Sequence, residues 1–371
     1  MTINDTNMFR NINNENIAAI FDNLTFIKEL DKGKMFNLVY NLPEQMEEAL
    51  SILENFKLSR FENKLSYVII TGVGGSAIAG DLTRVLLSKI CNIPILINRD
   101  YVLPAFIGDD TLVIASSYSG DTEETLSAYQ IAKEKNAKII AITSGGTLGK
   151  LALKDIKDAI IIPGGLSPRA AIGYSLISLL YIFSSLGLVG DMKNDIKNAI
   201  NLLKQLREQL TPEVPIQNNQ AKNIAQKLIG NLPVIYGSTG TTEVIAQRWK
   251  SQICENAKTI AYNNTFPELN HNEIVGSEYP IEIINKMSVI LLRDKEDYKR
   301  NKLRMNITSD ILEGKVDQII EVSSVGESAL ERMLSLVMIG DYLSLYLSIA
   351  YGKDPTPIER ISTLKDKLSK H

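Results

Sequence analysis

Cysteine and histidine are scarce in this chain, with two of each in 371 residues. Cys91 and Cys254 lie far apart and in no metal-ligand spacing. That spacing points away from a thiolate metal site and from a disulfide framework; two buried thiols of a reducing compartment are expected. No metal and no cofactor is expected. An excess of charge of one sign is also lacking. The 40 Lys and Arg are balanced by 43 Asp and Glu, for a formal net charge of −3. A nucleic-acid footprint needs a basic balance or stripe, so no nucleic-acid partner is expected. The lysines of the tail (Lys365, Lys367, Lys370) read as a solvated helix face. Met1 to Asn16 is polar and has no basic segment followed by an apolar one, so no secretory signal is expected and the location is read as cytoplasmic. Long uninterrupted apolar runs are missing too. Ala170 to Val189 and Met333 to Tyr351 are broken by Ser, Gly, Tyr or Asp and read as buried core helices, with no membrane partner.

What is present is a globular composition, 44% hydrophobic and 22% charged, in a chain long enough for two domains. Short apolar runs alternate with helical patterns. Strands are expected at Tyr67–Thr71, Ile93–Ile97, Thr111–Ser116, Lys138–Thr143 and Ala159–Pro163, and a long helix over Ala170–Leu188. Polar helical sequence broken by Pro212 and Pro215 follows. A second series has a strand ending at Pro233–Gly240, a helix over Thr241–Cys254, strands at Met287–Arg293 and Lys315–Val322 around a helix at Lys295–Asp310, and an apolar helix over Ser328–Tyr351. Alternation of this kind means βαβ units on parallel sheets. The fold class is α/β: two doubly wound parallel sheets flanked by helices, with helical N- and C-terminal extensions. The domains are read as an N-terminal helical extension at 1–60, a first α/β domain at 61–190, a linker helix at 191–225, a second α/β domain at 226–352 and a tail at 353–371. Pro43 starts or kinks a helix of the extension.

Ligands of open parallel sheets bind at the carboxyl ends of strands. Hydroxyl-rich loops fall at four such ends: 74–76, 117–122, 143–147 and 238–242. In the first, Gly74-Gly75-Ser76 ends an apolar run and opens a helix. A helix start offers free N–H groups and a positive dipole end to an anion, and glycine lets a ligand approach the backbone. The same glycines would also serve plain packing in a βα turn. No Gly-Lys-Ser/Thr follows, so this is no P-loop, and Gly72-x-Gly74-x-x-Ala77 gives only the looser dinucleotide pattern. In the second loop, Ser117, Ser119 and Thr122 gather hydroxyls beside backbone amides, as phosphate requires. Asp121 or Thr122 would also cap the next helix, with Glu123 and Glu124 favouring its dipole.

The two loops, with Ser-Gly-Gly-Thr-Leu at 144–148, resemble the sugar isomerase (SIS) fold. Pro163-Gly-Gly-Leu-Ser-Pro-Arg-Ala-Ala171, Glu255-Asn-Ala-Lys258, Pro267-Glu-Leu-Asn-His-Asn-Glu273 and Asp354-Pro-Thr-Pro357 resemble one branch of it, the bifunctional phosphoglucose/phosphomannose isomerases. The likeness runs in order from about residue 65 to the C-terminus. It implies metal-independent interconversion of glucose 6-phosphate or mannose 6-phosphate with fructose 6-phosphate. By that resemblance Glu255 is the base at C1 and C2, His271 assists ring opening with Lys365, and Arg169 stabilises the enediolate. Ser76, Ser117, Ser119, Thr122 and the backbone of Gly75 hold the phosphate. Thr356 gives the C2 region room to turn. It also implies a homodimer with shared active sites, in which His271 comes from the neighbouring chain.

The residues have readings of their own. His271 lies in a polar segment, either a structural side chain or one of a built site. Glu255 follows a helix expected to end near Cys254 and is either a solvated helix-end charge or a site carboxylate. Arg169 precedes an apolar helix, where a charge needs a partner carboxylate or a bound anion. A non-catalytic phosphosugar-binding module is the alternative. It would have no need of Glu255, His271 or Lys365 and would usually carry a DNA-binding segment, for which residues 1–60 offer no recognition helix.

Overall fold

In the computed structural model, residues 14–371 are described, apart from Arg60, Glu62, Asn63, Lys157, Ser369 and His371. Most of the segment read above for a signal, and the second histidine, therefore lie outside the described residues.

The helices α1 (Asn14–Phe21), α2 (Leu24–Leu30), α3 (Met35–Tyr40) and α4 (Leu42–Glu54) come first. Pro43 sits in the first turn of α4, where a missing N–H costs nothing. Then follow β1 (Tyr67–Thr71), α5 (Gly75–Leu87), β2 (Ile95–Asn98), β3 (Thr111–Ser116), α6 (Glu123–Glu134), β4 (Lys138–Thr143), α7 (Gly146–Asp155) and β5 (Ala159–Ile161). These strands form a parallel sheet in the order β2-β1-β3-β4-β5. In β3 all six residues are buried, as in a sheet covered on both faces. The long helix expected from Ala170 begins instead with a 3-10 turn, Pro168–Ala170, and runs as α8 from Ile172 to Ser185.

Helices α9 (Lys193–Arg207) and α10 (Gln220–Leu228) lead to β6 (Leu232–Ser238), α11 (Glu243–Asn256), β7 (Tyr262–Phe266), α12 (Ile281–Ile284), β8 (Met287–Arg293), α13 (Lys299–Leu312), β9 (Gln318–Ser323), α14 (Ala329–Ala350) and α15 (Glu359–Leu368). The second sheet is also parallel, with order β7-β6-β8-β9. Helix α14 is long and apolar enough to cross a membrane by length and composition, but its most apolar window is wholly buried in the protein. Its Tyr342 and Tyr346 form an aromatic cluster with Phe21 and Phe36, with Phe36 and Tyr346 ring centres 5.1 Å apart.

The chain divides into two compact units. One, the first-sheet unit, takes Asn41–Lys204 and Gly326–Leu334; the other, the second-sheet unit, takes the described residues up to Tyr40, Gln205–Val325 and the chain from Ser335 on.

Three expectations need correction. Cys91 and Cys254 are free thiols but only half-buried, since each lies near an element end. Helix α11 continues past Cys254 to Asn256, so Glu255 is part of its last turn. Helix α13 starts at Lys299, four residues later than expected. Asp294 Oδ1 accepts the Glu296 N–H at 2.8 Å, and Asp297 Oδ2 accepts the Asp294 N–H at 2.8 Å, so the preceding residues are held as a turn.

Candidate active site

In the first-sheet unit, the strand order reverses at β1. The chain goes from β1 through α5 to β2 on one side and then returns to β3 on the other. The crevice between the ends of β1 and β3 is the switch point where such sheets take ligands. The loops that surround it are locked together by close backbone packing. A Cβ on Gly72 would stand 2.6 Å from the Ser116 carbonyl, and one on Gly75 would stand 2.8 Å from the Pro168 carbonyl. Gly120, at φ +76°, packs directly on the Gly145 carbonyl. Only glycine fits both that conformation and that space.

Side chains complete the frame. Ser76 Oγ accepts the Tyr118 N–H at 3.2 Å and joins the β1 loop to the β3 loop. Tyr118 Oη donates to the Pro163 carbonyl at 2.9 Å and accepts the Leu166 N–H at 3.0 Å, which ties in the loop that carries Arg169. Burial raises the Tyr118 phenol above its ordinary value. Ser117 Oγ lies 2.9 Å from Thr122 Oγ1 and accepts the Gly120 N–H at 3.1 Å. Thr122 is the N-cap of α6 by position, yet its side chain makes no capping bond. Asp121 does not cap α6 either. Its Oδ1 accepts both the N–H and the hydroxyl of Thr147, at 2.9 and 2.8 Å, and so secures the β4 loop. Those two bonds hold the Asp121 carboxyl below its ordinary range.

Six of the ten residues singled out in the sequence therefore gather in this unit: Gly75, Ser76, Ser117, Ser119, Thr122 and Arg169. Ser76 and Ser117 are buried, Thr122 is half-buried and Ser119 is exposed. Arg169 is only 4% exposed, in the turn that packs on Gly75. Helix α5 starts at Gly75 behind Gly74, which has no side chain to cap it, so its first amides face the crevice without a side-chain cap from that position. Hydroxyls and helix-start amides around one strand end, with the turn of the buried Arg169 packed on Gly75, suit a dianion.

The other four lie in the second-sheet unit. Glu255, half-buried, is on the last turn of α11. Thr356 follows Asp354, whose Oδ1 accepts its N–H at 2.9 Å. Lys258 joins these two regions: its Nζ donates to the Glu255 carbonyl at 2.6 Å and to the Pro355 carbonyl at 3.0 Å. His271 ends a 3-10 turn, Glu268–His271, and is exposed. That turn follows β7, an edge strand of polar residues that the apolar pattern does not reveal. Glu273 secures the segment by accepting from Tyr236 Oη at 2.6 Å and from Asn264 Nδ2. Lys365 is on α15, which buries none of its residues. Among the described residues, no group of three or more His, Cys, Asp or Glu side chains is arranged to hold a metal ion.

Two doubly wound parallel sheets, each with a switch-point crevice, fit the SIS-domain class. Family models agree: a SIS domain matches residues 62–162, and the bacterial phospho-glucose isomerase C-terminal SIS domain matches residues 217–368. Over 335 residues the chain is 54% identical to the bifunctional phosphoglucose/phosphomannose isomerase of Caldicellulosiruptor bescii, covering 90% of this chain and 99% of that protein. It is 36% identical to the protein of the same name from Aquifex aeolicus, covering 88% and 100%. The chain belongs to the bifunctional phosphoglucose/phosphomannose isomerase family. A solved glucose-6-phosphate isomerase like protein from Thermus thermophilus shares the fold, with TM-score 0.61 at 19% identity over 93% of this chain and 98% of that one.

Proposed function

We propose that this protein interconverts glucose 6-phosphate or mannose 6-phosphate with fructose 6-phosphate, without a metal, through an enediolate. The observation that carries the reading is the crevice at β1 and β3, where Ser76, Ser117 and Thr122 and the start of α5 stand beside the buried Arg169. Relatives at 54% and 36% identity bear the corresponding name. The phosphate docks on Gly75, Ser76, Ser117, Ser119 and Thr122. That fixes the sugar and converts much of the reaction's entropic barrier into binding. Glu255 removes the proton from C2 of the aldose and returns it to C1, while the hydroxyl proton passes between O1 and O2. Arg169 stabilises the negative charge that develops on the enediolate. His271 and Lys365 move the protons that open the ring. Thr356 borders C2 and admits both epimers.

The protein works as a homodimer in the cytoplasm, and His271 serves the site of the neighbouring copy. The support is that His271 sits on a surface rich in uncovered apolar side chains. Val275 is 73% and Tyr279 81% exposed. Leu303, Ile307 and Ile311 form an exposed stripe along α13, and Leu303 and Ile307 line a cavity together with Asn270 and Ile274. Apolar faces of this kind mark contact surfaces.

The test is purified protein with fructose 6-phosphate in EDTA, scoring glucose 6-phosphate and mannose 6-phosphate separately. Both products are expected. Binding of the sugar phosphate with neither product would reduce the protein to a phosphosugar-binding module.

A further inference from the structure

Lys258 and Gly33 have no role in the scheme above, yet both bear on the turn that carries Thr356. Lys258 lies just past the end of α11 with φ +58°, a left-handed position where glycine is the usual residue. A lysine there carries a steric cost, of about 1–2 kcal/mol. What lysine adds over glycine is its ammonium group. That group donates to the Glu255 carbonyl at 2.6 Å and the Pro355 carbonyl at 3.0 Å. It thus spans from the helix end that carries Glu255 to the residue before Thr356. A cation at a helix C-terminus is favoured by the helix dipole.

On another side of Thr356 stands Gly33, in the turn between α2 and α3. A Cβ there would run into the Thr356 side chain, 2.6 Å from its Cβ and closer still to Oγ1. Gly33 does not need glycine for its backbone angle, since its φ is not among the positive ones. It needs glycine for the space that Thr356 fills. The Gly33 turn is itself fixed: the buried Asp31 carboxylate accepts the N–H groups of Met35 at 2.7 Å and Phe36 at 3.0 Å.

We infer that Lys258 and Gly33 are positioning residues for epimer selection. Lys258 staples the Asp354–Thr356 turn to the Glu255 end of α11, and Gly33 backs the Thr356 side chain, so that the base and the wall beside C2 keep a fixed spacing. The inference rests on the reading that Thr356 borders C2. Turnover of the mannose epimer depends on that wall, whereas phosphate docking occurs on residues of the first-sheet unit.

The experiment is steady-state kinetics with glucose 6-phosphate and mannose 6-phosphate on Lys258→Gly, Lys258→Arg, Gly33→Ala and Thr356→Val. Lys258→Gly suits the left-handed backbone, so it removes the staple without opposing the local fold. It is expected to lower kcat for mannose 6-phosphate about tenfold more than kcat for glucose 6-phosphate, with both KM values little changed. Gly33→Ala is expected to act in the same direction. Lys258→Arg, which keeps donors at that place, restores much of the ratio. If Thr356→Val shifts the epimer ratio but neither Lys258→Gly nor Gly33→Ala does, the positioning claim is wrong and the Thr356 reading stands. If Thr356→Val leaves the ratio unchanged, the Thr356 reading fails and the inference falls with it. A loss of thermal stability with equal losses on both epimers would make Lys258 an ordinary helix cap and overturn the proposal.

Discussion

The crevice between β1 and β3 and the crevice between β6 and β8 arise from the same winding, and their loops have been put to different uses. Around the first, glycines bring four backbone segments into contact, and the loop carboxylate Asp121 is exposed, turned to the amide and hydroxyl of Thr147. Around the second, the hydroxyls of Thr241 and Thr242 donate to protein acceptors, whereas Ser76 and Ser117 around the first accept amide N–H groups. The Ser238 N–H donates to Thr242 Oγ1 at 2.8 Å, and that hydroxyl donates on to the Leu292 carbonyl at 3.1 Å. Thr241 Oγ1 donates to Asp297, and Asn301 Nδ2 donates to Ser238 Oγ at 3.0 Å. Asp297 is 4% exposed, and burial pushes its carboxyl above the ordinary range. A carboxylate already satisfied at that point repels a phosphate and leaves it few donors. Hydroxyl-rich loops at strand ends are therefore ambiguous alone. The partner of each hydroxyl decides whether the loop binds an anion or closes on itself.

Four variants test this contrast and the chemistry beside it. The largest effect belongs to Glu255→Gln, which separates chemistry from binding. It should lower kcat by about 10²–10⁴-fold with substrate affinity retained, as expected for loss of a general base. Turnover at the wild-type rate would show that Glu255 is not the base. Next is Gly75→Val, which forces the β1 loop off the Pro168 carbonyl; KM for the sugar phosphates should rise at least about tenfold, a loss of roughly 1.4 kcal/mol in binding. An unchanged KM would place the phosphate elsewhere. Asp297→Ala, in the other crevice, should destabilise the fold by about 1–3 kcal/mol, because Thr241 and the Asp294 amide lose their acceptor. Its KM should not move, and a tenfold change there would break the contrast.

Smallest is Asp121→Ala, where the acceptor is exposed and the expected loss is below about 1 kcal/mol. Because the folded Asp121 carboxyl lies below its ordinary value, its contribution is complete above about pH 4 and fades as pH falls through the folded value. Thermal melts of wild type and Asp121→Ala should therefore converge in acid. Melts that stay parallel down to low pH would remove Asp121 as the tie between these loops.

Much of the fold is legible in the sequence. Strands β1, β3, β4 and β8 lie where short apolar runs mark them, because a strand buried on both faces is apolar throughout. β7 escapes that pattern. Tyr262-Asn263-Asn264-Thr265-Phe266 is an edge strand whose first residue is exposed and whose middle three are half-buried, so its sequence looks like a loop. The phosphate-loop residues are readable because the Gly-Gly-Ser and Ser-Tyr-Ser-Gly-Asp-Thr motifs are local. Tyr118, Asp121 and Lys258 as ties between loops are not readable, since each partner lies in a different segment: Pro163 and Leu166, Thr147, and Pro355. The left-handed backbone at Lys258, in a place usual for glycine, is visible only in the fold.

The most direct measurement is a crystal structure of the protein with fructose 6-phosphate bound. The account predicts the phosphate at the start of α5, within hydrogen-bond reach of Ser76, Ser117 and the Gly75 backbone. A phosphate seated instead among Ser238, Thr241 and Asp297, or away from both crevices, would contradict it.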